Sequence, residues 1–133
     1  MTSTPPLANI LVVDDEAEIR ALIGVMLELQ GHTVVLAENG ERALELAAAS
    51  DFDLITLDVM MPGLDGWQVA DALDADPHLT LIPRIMVSGM PLAQLEAAPG
   101  SGRAAAILSK PFDFVAFTEL VTDVLEARPA RPA

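Results

Sequence analysis

The chain has 133 residues and a mean hydropathy of +0.42, which suits one domain with a single core and is too apolar for a disordered chain. Its net charge of −13 and its lack of any basic cluster exclude a nucleic-acid backbone as a partner. It has no cysteine, no apolar run long enough to cross a membrane and no signal-peptide pattern, so we expect a cytoplasmic protein without disulfides or zinc–thiolate sites.

Strand and helix patterns alternate along the chain. Residues 9–15 open with an apolar run that predicts a strand. The helix that follows ends at Gly31 and has five apolar residues on one face: Ile19, Leu22, Ile23, Met26 and Leu27. Later patterns predict strands at 33–37, 53–57, 82–88 and 104–108, and helices at 39–50, 65–74 and 113–126. A short or mobile helix is expected within 90–103, which proline and glycine interrupt.

Five strands that alternate with about five helices predict a doubly wound α/β fold. The strands are almost continuously apolar, as in a parallel sheet covered on both faces, and we expect the strand order 2-1-3-4-5. The domain is assigned to residues 9–127, with residues 1–8 as a flexible lead and 128–133 as a flexible tail or linker stub.

Polar residues stand where the predicted strands end. Asp14 and Asp15 follow the first strand, Asp58 the third and Ser88 the fourth, and Lys110 comes just after the fifth. Because ligands of open α/β sheets bind at the carboxyl ends of the strands, we expect these side chains to share one rim. Lys110 is the only lysine in a chain with six arginines.

Three clustered carboxylates repel one another unless some are protonated or a cation lies among them. An all-oxygen site favours Mg²⁺, with Mn²⁺ as the second choice. The Lys110 ammonium and the Ser88 hydroxyl suit a phosphate, and Gly89 lets the backbone amide approach it. Asp58 is then a candidate nucleophile that would carry an aspartyl phosphate.

Each of these residues also has a purely structural interpretation. Asp15, with Glu18 three positions later, matches a helix capping box. Ser88 matches a turn residue at a strand end, and Lys110 a solvated strand end. The coincidence of all the strand ends favours the functional interpretation.

Four motifs carry a resemblance to a known family: "VVDDE", "LDVMMPGLDG", "VSG" and "SKPF". With these motifs the chain, from about residue 10 to 127, resembles the response-regulator receiver domain of two-component signalling, and in particular the single-domain, chemotaxis-regulator type. The resemblance implies a flavodoxin-like fold.

The resemblance also implies roles for the metal site. Asp58 is expected to be the phosphorylated aspartate. Asp15 is expected to bind the metal directly and Asp14 mainly through water, with the Met60 carbonyl as a backbone ligand.

For the phosphoryl group, the resemblance implies contacts from Val59, Ser88, Gly89 and Lys110. It further implies that the Lys110–Pro111 peptide bond is cis.

The implied function is that of a phosphorylated signalling domain, not an ordinary enzyme. It takes its phosphoryl group from a histidine kinase or a histidine phosphotransfer protein, catalyses that transfer and loses the group slowly. Phosphorylation changes a surface that binds an unknown downstream protein. We expect a monomer or weak dimer with no nucleic-acid or membrane partner.

A departure from the family pattern at Ile107 and the chemistry of an aspartyl phosphate leave two alternatives open. Ile107 stands where the family usually has Tyr or Phe, so coupling through a ring flip is in doubt and a phosphorylation-independent interaction module remains possible. A Mg²⁺-dependent phosphohydrolase with an aspartyl intermediate is the other alternative, but Met60 replaces the second acid that such enzymes use. Met60 and Met90 also offer no polar group to orient water, which predicts slow loss of phosphate.

Overall fold

The structure is a computed structural model that describes residues 7–89, 94 and 104–127. Its five strands are β1 (Asn9–Val13), β2 (Thr33–Ala37), β3 (Leu54–Asp58), β4 (Arg84–Ser88) and β5 (Ala106–Ser109). The helices described are α1 (Ala17–Leu29), α2 (Gly40–Ala49), α3 (Gly66–Asp74) and α4 (Phe114–Ala127), with a 3₁₀ turn at Leu79–Leu81. The helix expected within 90–103 and the side chain of Met90 lie outside the described residues, apart from Gln94.

All the strands are parallel and form one sheet in the order β2-β1-β3-β4-β5, so the predicted doubly wound, flavodoxin-like fold is confirmed. The chain leaves β1 towards β2 on one side and later returns to β3 on the other. This reversal between β1 and β3 is where doubly wound folds bind their ligands. None of the described helices combines the length and the hydropathy needed to cross a membrane.

The core has two layers, one on each face of the sheet. One layer lies between the sheet and α2 and α3, and includes Leu11, Leu57 and Met86. The other lies between the sheet and α1 and α4, and includes Ile10 and Phe117. Neighbouring residues of a strand point to opposite faces, and burial of both faces explains why the strands are almost continuously apolar.

Helix α1 differs from its predicted packing at one position. Ile23 and Leu27 are buried as expected, but Leu22 is 50% exposed. Val25 and Leu29, three and seven positions further on, are 51% and 71% exposed. The buried face of α1 is therefore narrower than the apolar face of its sequence, and these three side chains form an outward stripe.

Helix α3 starts directly against the end of β3. Asp65 and Gln68 form a capping box: the Asp65 carboxylate accepts from the Gln68 N–H at 2.8 Å, and the Gln68 side chain accepts from the Asp65 N–H at 2.9 Å. The Gly66 N–H donates to the Val59 carbonyl at 2.9 Å. A Cβ atom on Gly66 would lie 2.5 Å from the Asp58 carbonyl oxygen, so only glycine allows this approach.

A buried arginine holds the opposite edge of the sheet. Arg84, at the start of β4, is 2% exposed, and its Nη1 lies 2.7 Å from Asp74 Oδ1 at the end of α3. Its Nη2 donates to the Ile82 carbonyl at 3.1 Å. The guanidinium thus fastens the carboxyl end of α3 to the amino end of β4.

Candidate functional site

The carboxyl ends of the three central strands bring polar side chains together in a buried rim. Asp14, Asp58 and Ser88 are 1%, 4% and 1% exposed. Lys110 joins the first two, because its Nζ lies 2.9 Å from Asp14 Oδ2 and 3.5 Å from Asp58 Oδ2. The structure therefore places four of the predicted site residues within one small region.

Asp14 is fixed by the backbone around it. Its N–H continues the sheet by donating to the Ala37 carbonyl at 3.2 Å. Its Oδ1 accepts from the Glu16 N–H at 2.9 Å, and its carbonyl oxygen accepts from Arg20 Nη1 at 2.8 Å. One carboxylate oxygen is thus held by the chain while the other faces Lys110.

Asp15 is exposed and does not cap α1. The N-cap residue of α1 is Glu16, and no side chain makes a cap hydrogen bond there. The capping-box interpretation of Asp15 and Glu18 is therefore wrong: the helix begins one residue later than that motif requires. The Asp15 carboxylate is left at the rim without a capping role.

Asp58 is oriented by the turn that follows β3. Its Oδ1 accepts from the Met60 N–H at 3.2 Å. The Val59 N–H instead donates to the Val87 carbonyl at 3.1 Å, which extends the sheet by one residue. In this geometry the Met60 amide faces the carboxylate, whereas the predicted phosphate contact of Val59 requires its bond to Val87 to open.

The ends of β4 and β5 are tied together beside Asp58. Ser88 pairs with Ser109 in the sheet, and the Lys110 N–H donates to the Ser88 carbonyl at 2.7 Å. The Lys110–Pro111 peptide bond is cis, as expected. Gly89 faces open space, since a Cβ atom built there would meet no described atom within 4 Å.

The buried charges shift the pKa values of two groups in the rim. Burial, together with the negative charge of Asp14, raises the pKa of the Asp58 carboxyl to about 7. Burial alone would lower the pKa of the Lys110 ammonium, but its hydrogen bond to Asp14 and the charge of Asp58 raise it above its usual value. The rim thus carries more negative charge than one lysine can neutralise.

The same region offers oxygen ligands for a cation. One carboxylate oxygen from each of Asp14, Asp15 and Glu16 lies within 4.8 Å of the others. Asp58 is linked to this group through Lys110, which contacts both Asp14 and Asp58. Oxygen donors in excess of positive charge, with a raised Asp58 pKa, fit a hard divalent cation such as Mg²⁺. Glu16 was not predicted as a candidate ligand, although it directly follows Asp14 and Asp15.

Ile107 lies on β5, at the position where a ring was expected. It is partly buried and packs against the core layer beneath α2 and α3. The departure from the family pattern therefore concerns a packed side chain next to the rim.

Comparison with known proteins gives consistent matches. Residues 10–122 match the family described as response regulator receiver domain. The chain is 50% identical over 61 residues to the transcriptional regulatory protein ResD of Bacillus subtilis (strain 168), which covers 46% of this chain and 25% of ResD. It is 39% identical over 82 residues to Protein PilH of Pseudomonas aeruginosa, which covers 62% of this chain and 68% of PilH.

A solved structure shows the same fold. The response regulator protein TrrA of Thermotoga maritima, in complex with Mg²⁺-BeF, superposes with a TM-score of 0.81 at 31% identity. The superposition covers 89% of this chain and 99% of TrrA. Several of the curated relatives are longer, and the match spans less than half of their length.

Proposed function

The chain belongs to the response-regulator receiver family, and on this premise we propose that it is a signalling switch phosphorylated on Asp58. The donor is the phosphohistidine of a histidine kinase or of a histidine phosphotransfer protein. One observation carries the proposal: Asp58 is the last residue of β3, is 4% exposed, and has its Oδ2 3.5 Å from the Lys110 ammonium. A buried acid beside an ammonium group at a ligand-binding edge is suited to accept a phosphoryl group.

In the transfer, a carboxylate oxygen of Asp58 forms a bond to phosphorus. The phosphorus–nitrogen bond of the phosphohistidine breaks, and its electron pair stays on the imidazole, which takes up a proton. Only the ionised carboxylate is a nucleophile, so a group with a pKa of about 7 needs positive charge nearby. The Lys110 ammonium already lowers this pKa, so full ionisation of Asp58 requires further positive charge.

A Mg²⁺ ion supplies the rest of the charge when bound, because it neutralises the carboxylates and polarises the phosphoryl oxygens. Asp14, Asp15 and Asp58 would hold it, with the Met60 carbonyl as a backbone ligand. Glu16 belongs to the same acidic group and is a further candidate. The all-oxygen composition of this set supports the assignment.

Lys110 and Ser88 are proposed to hold the phosphoryl oxygens. In the unphosphorylated structure the Lys110 ammonium donates to Asp14 Oδ2 at 2.9 Å. On phosphorylation, Lys110 would exchange Asp14 for a phosphoryl oxygen, a move that its flexible side chain allows. Ser88, at the end of the neighbouring strand, offers a hydroxyl.

The switch is proposed to act through the end of β4. Phosphorylation at Asp58 draws Ser88 towards the phosphoryl group, and this movement of the strand end changes the surface offered to a protein partner. Ile107 has no ring to rotate, so we infer that β5 contributes less to this change than Ser88 does.

Labelling with a small phosphodonor tests the proposal. Acetyl phosphate with Mg²⁺ is expected to add one phosphoryl group to the parent by intact mass, and Asp58→Asn is expected to remove that gain. Asp51→Asn, which changes an exposed acid ahead of the start of β3, is the matched control and should label like the parent. Equal labelling of the Asp58→Asn variant would assign the phosphate to another residue.

A further inference from the structure

An apolar pocket of about 480 Å³ lies immediately beyond Asp58. It is lined by Val59, Met60, Met61, Pro62, Asp65 and Trp67. Its residues come from the turn between β3 and α3 and from the first turn of α3. This size falls within the range of pockets that bind ligands or anchoring side chains in proteins.

The pocket is held in a fixed position relative to Asp58. The hydrogen bond from the Gly66 N–H to the Val59 carbonyl closes the turn, and the capping box of Asp65 and Gln68 fixes its last residue. Trp67 follows Gly66, whose backbone lies against the Asp58 carbonyl. A surface that binds over Asp58 therefore meets the pocket in a constant geometry.

The side chains of the pocket are unusual for a solvated turn. Met60 is 61% exposed, whereas Met61 beside it is 8% exposed. Trp67 packs on one side against the core layer and lines the pocket with the other. Tryptophan is enriched among residues that anchor protein interfaces, and methionine adapts its shape to a partner. Asp65 adds one negative charge at the margin.

We propose that this pocket receives an apolar side chain of the protein phosphodonor and that Trp67 determines which donors are accepted. This role presupposes the phosphoryl transfer to Asp58 proposed above. Because the Met60 N–H donates to Asp58 Oδ1 and the Met60 side chain is exposed, a donor that brings its histidine to Asp58 lies next to this turn. Since the chain has a net charge of −13, the donor surface around that apolar side chain is expected to be basic.

Phosphotransfer kinetics test the role of Trp67. The probes are the histidine kinases and phosphotransfer proteins of the source organism, each purified and charged with radiolabelled phosphate. The probe that labels the parent fastest is then used with Trp67→Ala, Trp67→Phe and the control Leu81→Ala. Leu81 is also apolar and exposed, at 41%, but lies before β4 at the opposite edge of the sheet.

Each rate is divided by the same variant's rate with acetyl phosphate, so that damage to the fold or to the rim cancels. Trp67→Ala is expected to lower the normalised kcat/KM by about tenfold or more, mainly through KM, as is typical when an aromatic anchor is truncated. Trp67→Phe should keep most of the rate because it keeps a ring, and Leu81→Ala should match the parent.

The possible results separate the two proposals. If acetyl phosphate fails to label Asp58 in the parent, the proposed function falls. If acetyl phosphate labels Asp58 but Trp67→Ala accepts phosphate from the protein donor like the parent, only the role of Trp67 is overturned. The role of Trp67 is also overturned if no protein donor labels the parent. The same holds if Trp67→Ala abolishes self-association in sedimentation, because a second copy of the chain would then fill the pocket.

Discussion

Adding one methyl group at Gly66 tests how closely α3 is packed against β3 and the turn that follows it. The new Cβ would lie 2.5 Å from the Asp58 carbonyl oxygen and 2.8 Å from Val59 Cα. Both are backbone atoms, which cannot rotate away as a side chain can. Since carbon atoms pack best at about 3.5–4.0 Å, the helix must move by roughly 1 Å. Overpacking of this kind costs about 1–3 kcal/mol, so Gly66→Ala is expected to be destabilised by that amount.

The same substitution at Gly24 is the matched control and should have the opposite sign. Gly24 lies inside α1, and its new Cβ would lie 3.2 Å from Leu36 Cδ2. Leu36 is 43% exposed and can turn towards solvent. Glycine within a helix is less stable than alanine by roughly 0.5–1 kcal/mol, so Gly24→Ala should gain up to that much.

Urea unfolding followed by far-UV circular dichroism measures both effects, because the Trp67 fluorescence could change with its neighbour. With a slope of about 1–3 kcal/mol per molar urea, the midpoint should fall by roughly 1 M for Gly66→Ala and rise by a few tenths for Gly24→Ala. Labelling by acetyl phosphate should also slow in Gly66→Ala, since the Asp58 backbone is displaced. Unchanged stability in Gly66→Ala would refute the close contact between α3 and β3.

Three further changes test other parts of the structure. Asp74→Asn leaves the charge of Arg84 buried without its partner, so the free energy of unfolding in urea should fall by roughly 2–3 kcal/mol. A fall no larger than that of a typical surface substitution would show that the ion pair is solvated. His32 Nδ1 accepts from the Ala8 N–H at 3.1 Å, and burial lowers its pKa. The unfolded chain therefore binds a proton first as the pH falls below about 6.5, so the parent should lose more stability than His32→Asn between pH 7.5 and 5.5, and equal losses would contradict this. Asp15→Ala should abolish the rise in Tm caused by Mg²⁺, and a full response would remove Asp15 from the metal site.

The strand ends could be predicted from the sequence because they depend on local patterns. The run "LITL" has no charged residue and only one polar residue, Thr56, which predicts a buried strand with Asp58 at its end. The alternation of strands and helices predicted a doubly wound sheet, for which 2-1-3-4-5 is one of the two common strand orders. The convergence of Asp14, Asp58 and Lys110 followed in turn, because all parallel strands end at the same edge.

The features that were missed depend on how the elements pack against one another. Leu22 has the right spacing for the core face of α1, but how much of a helix is covered depends on its neighbours. The pairing of Arg84 with Asp74 joins the two ends of a long connection, and no local pattern marks it. Helix α1 starts at Ala17, and the Glu16 N–H just before it donates to the Asp14 carboxylate, a contact that the Asp15–Glu18 spacing could not reveal.

The single lysine has a chemical consequence of its own. Acetyl phosphate has two electrophilic centres: the phosphorus, which a carboxylate attacks, and the carbonyl carbon, which an amine attacks. An amine attacks only when it is unprotonated, and the ion pair with Asp14 raises the pKa of Lys110. The side chain is also only 15% exposed. We therefore expect the ion pair to keep Lys110 protonated and poorly reactive towards the carbonyl carbon, whereas the proposed phosphoacceptor, Asp58, attacks the phosphorus as a carboxylate.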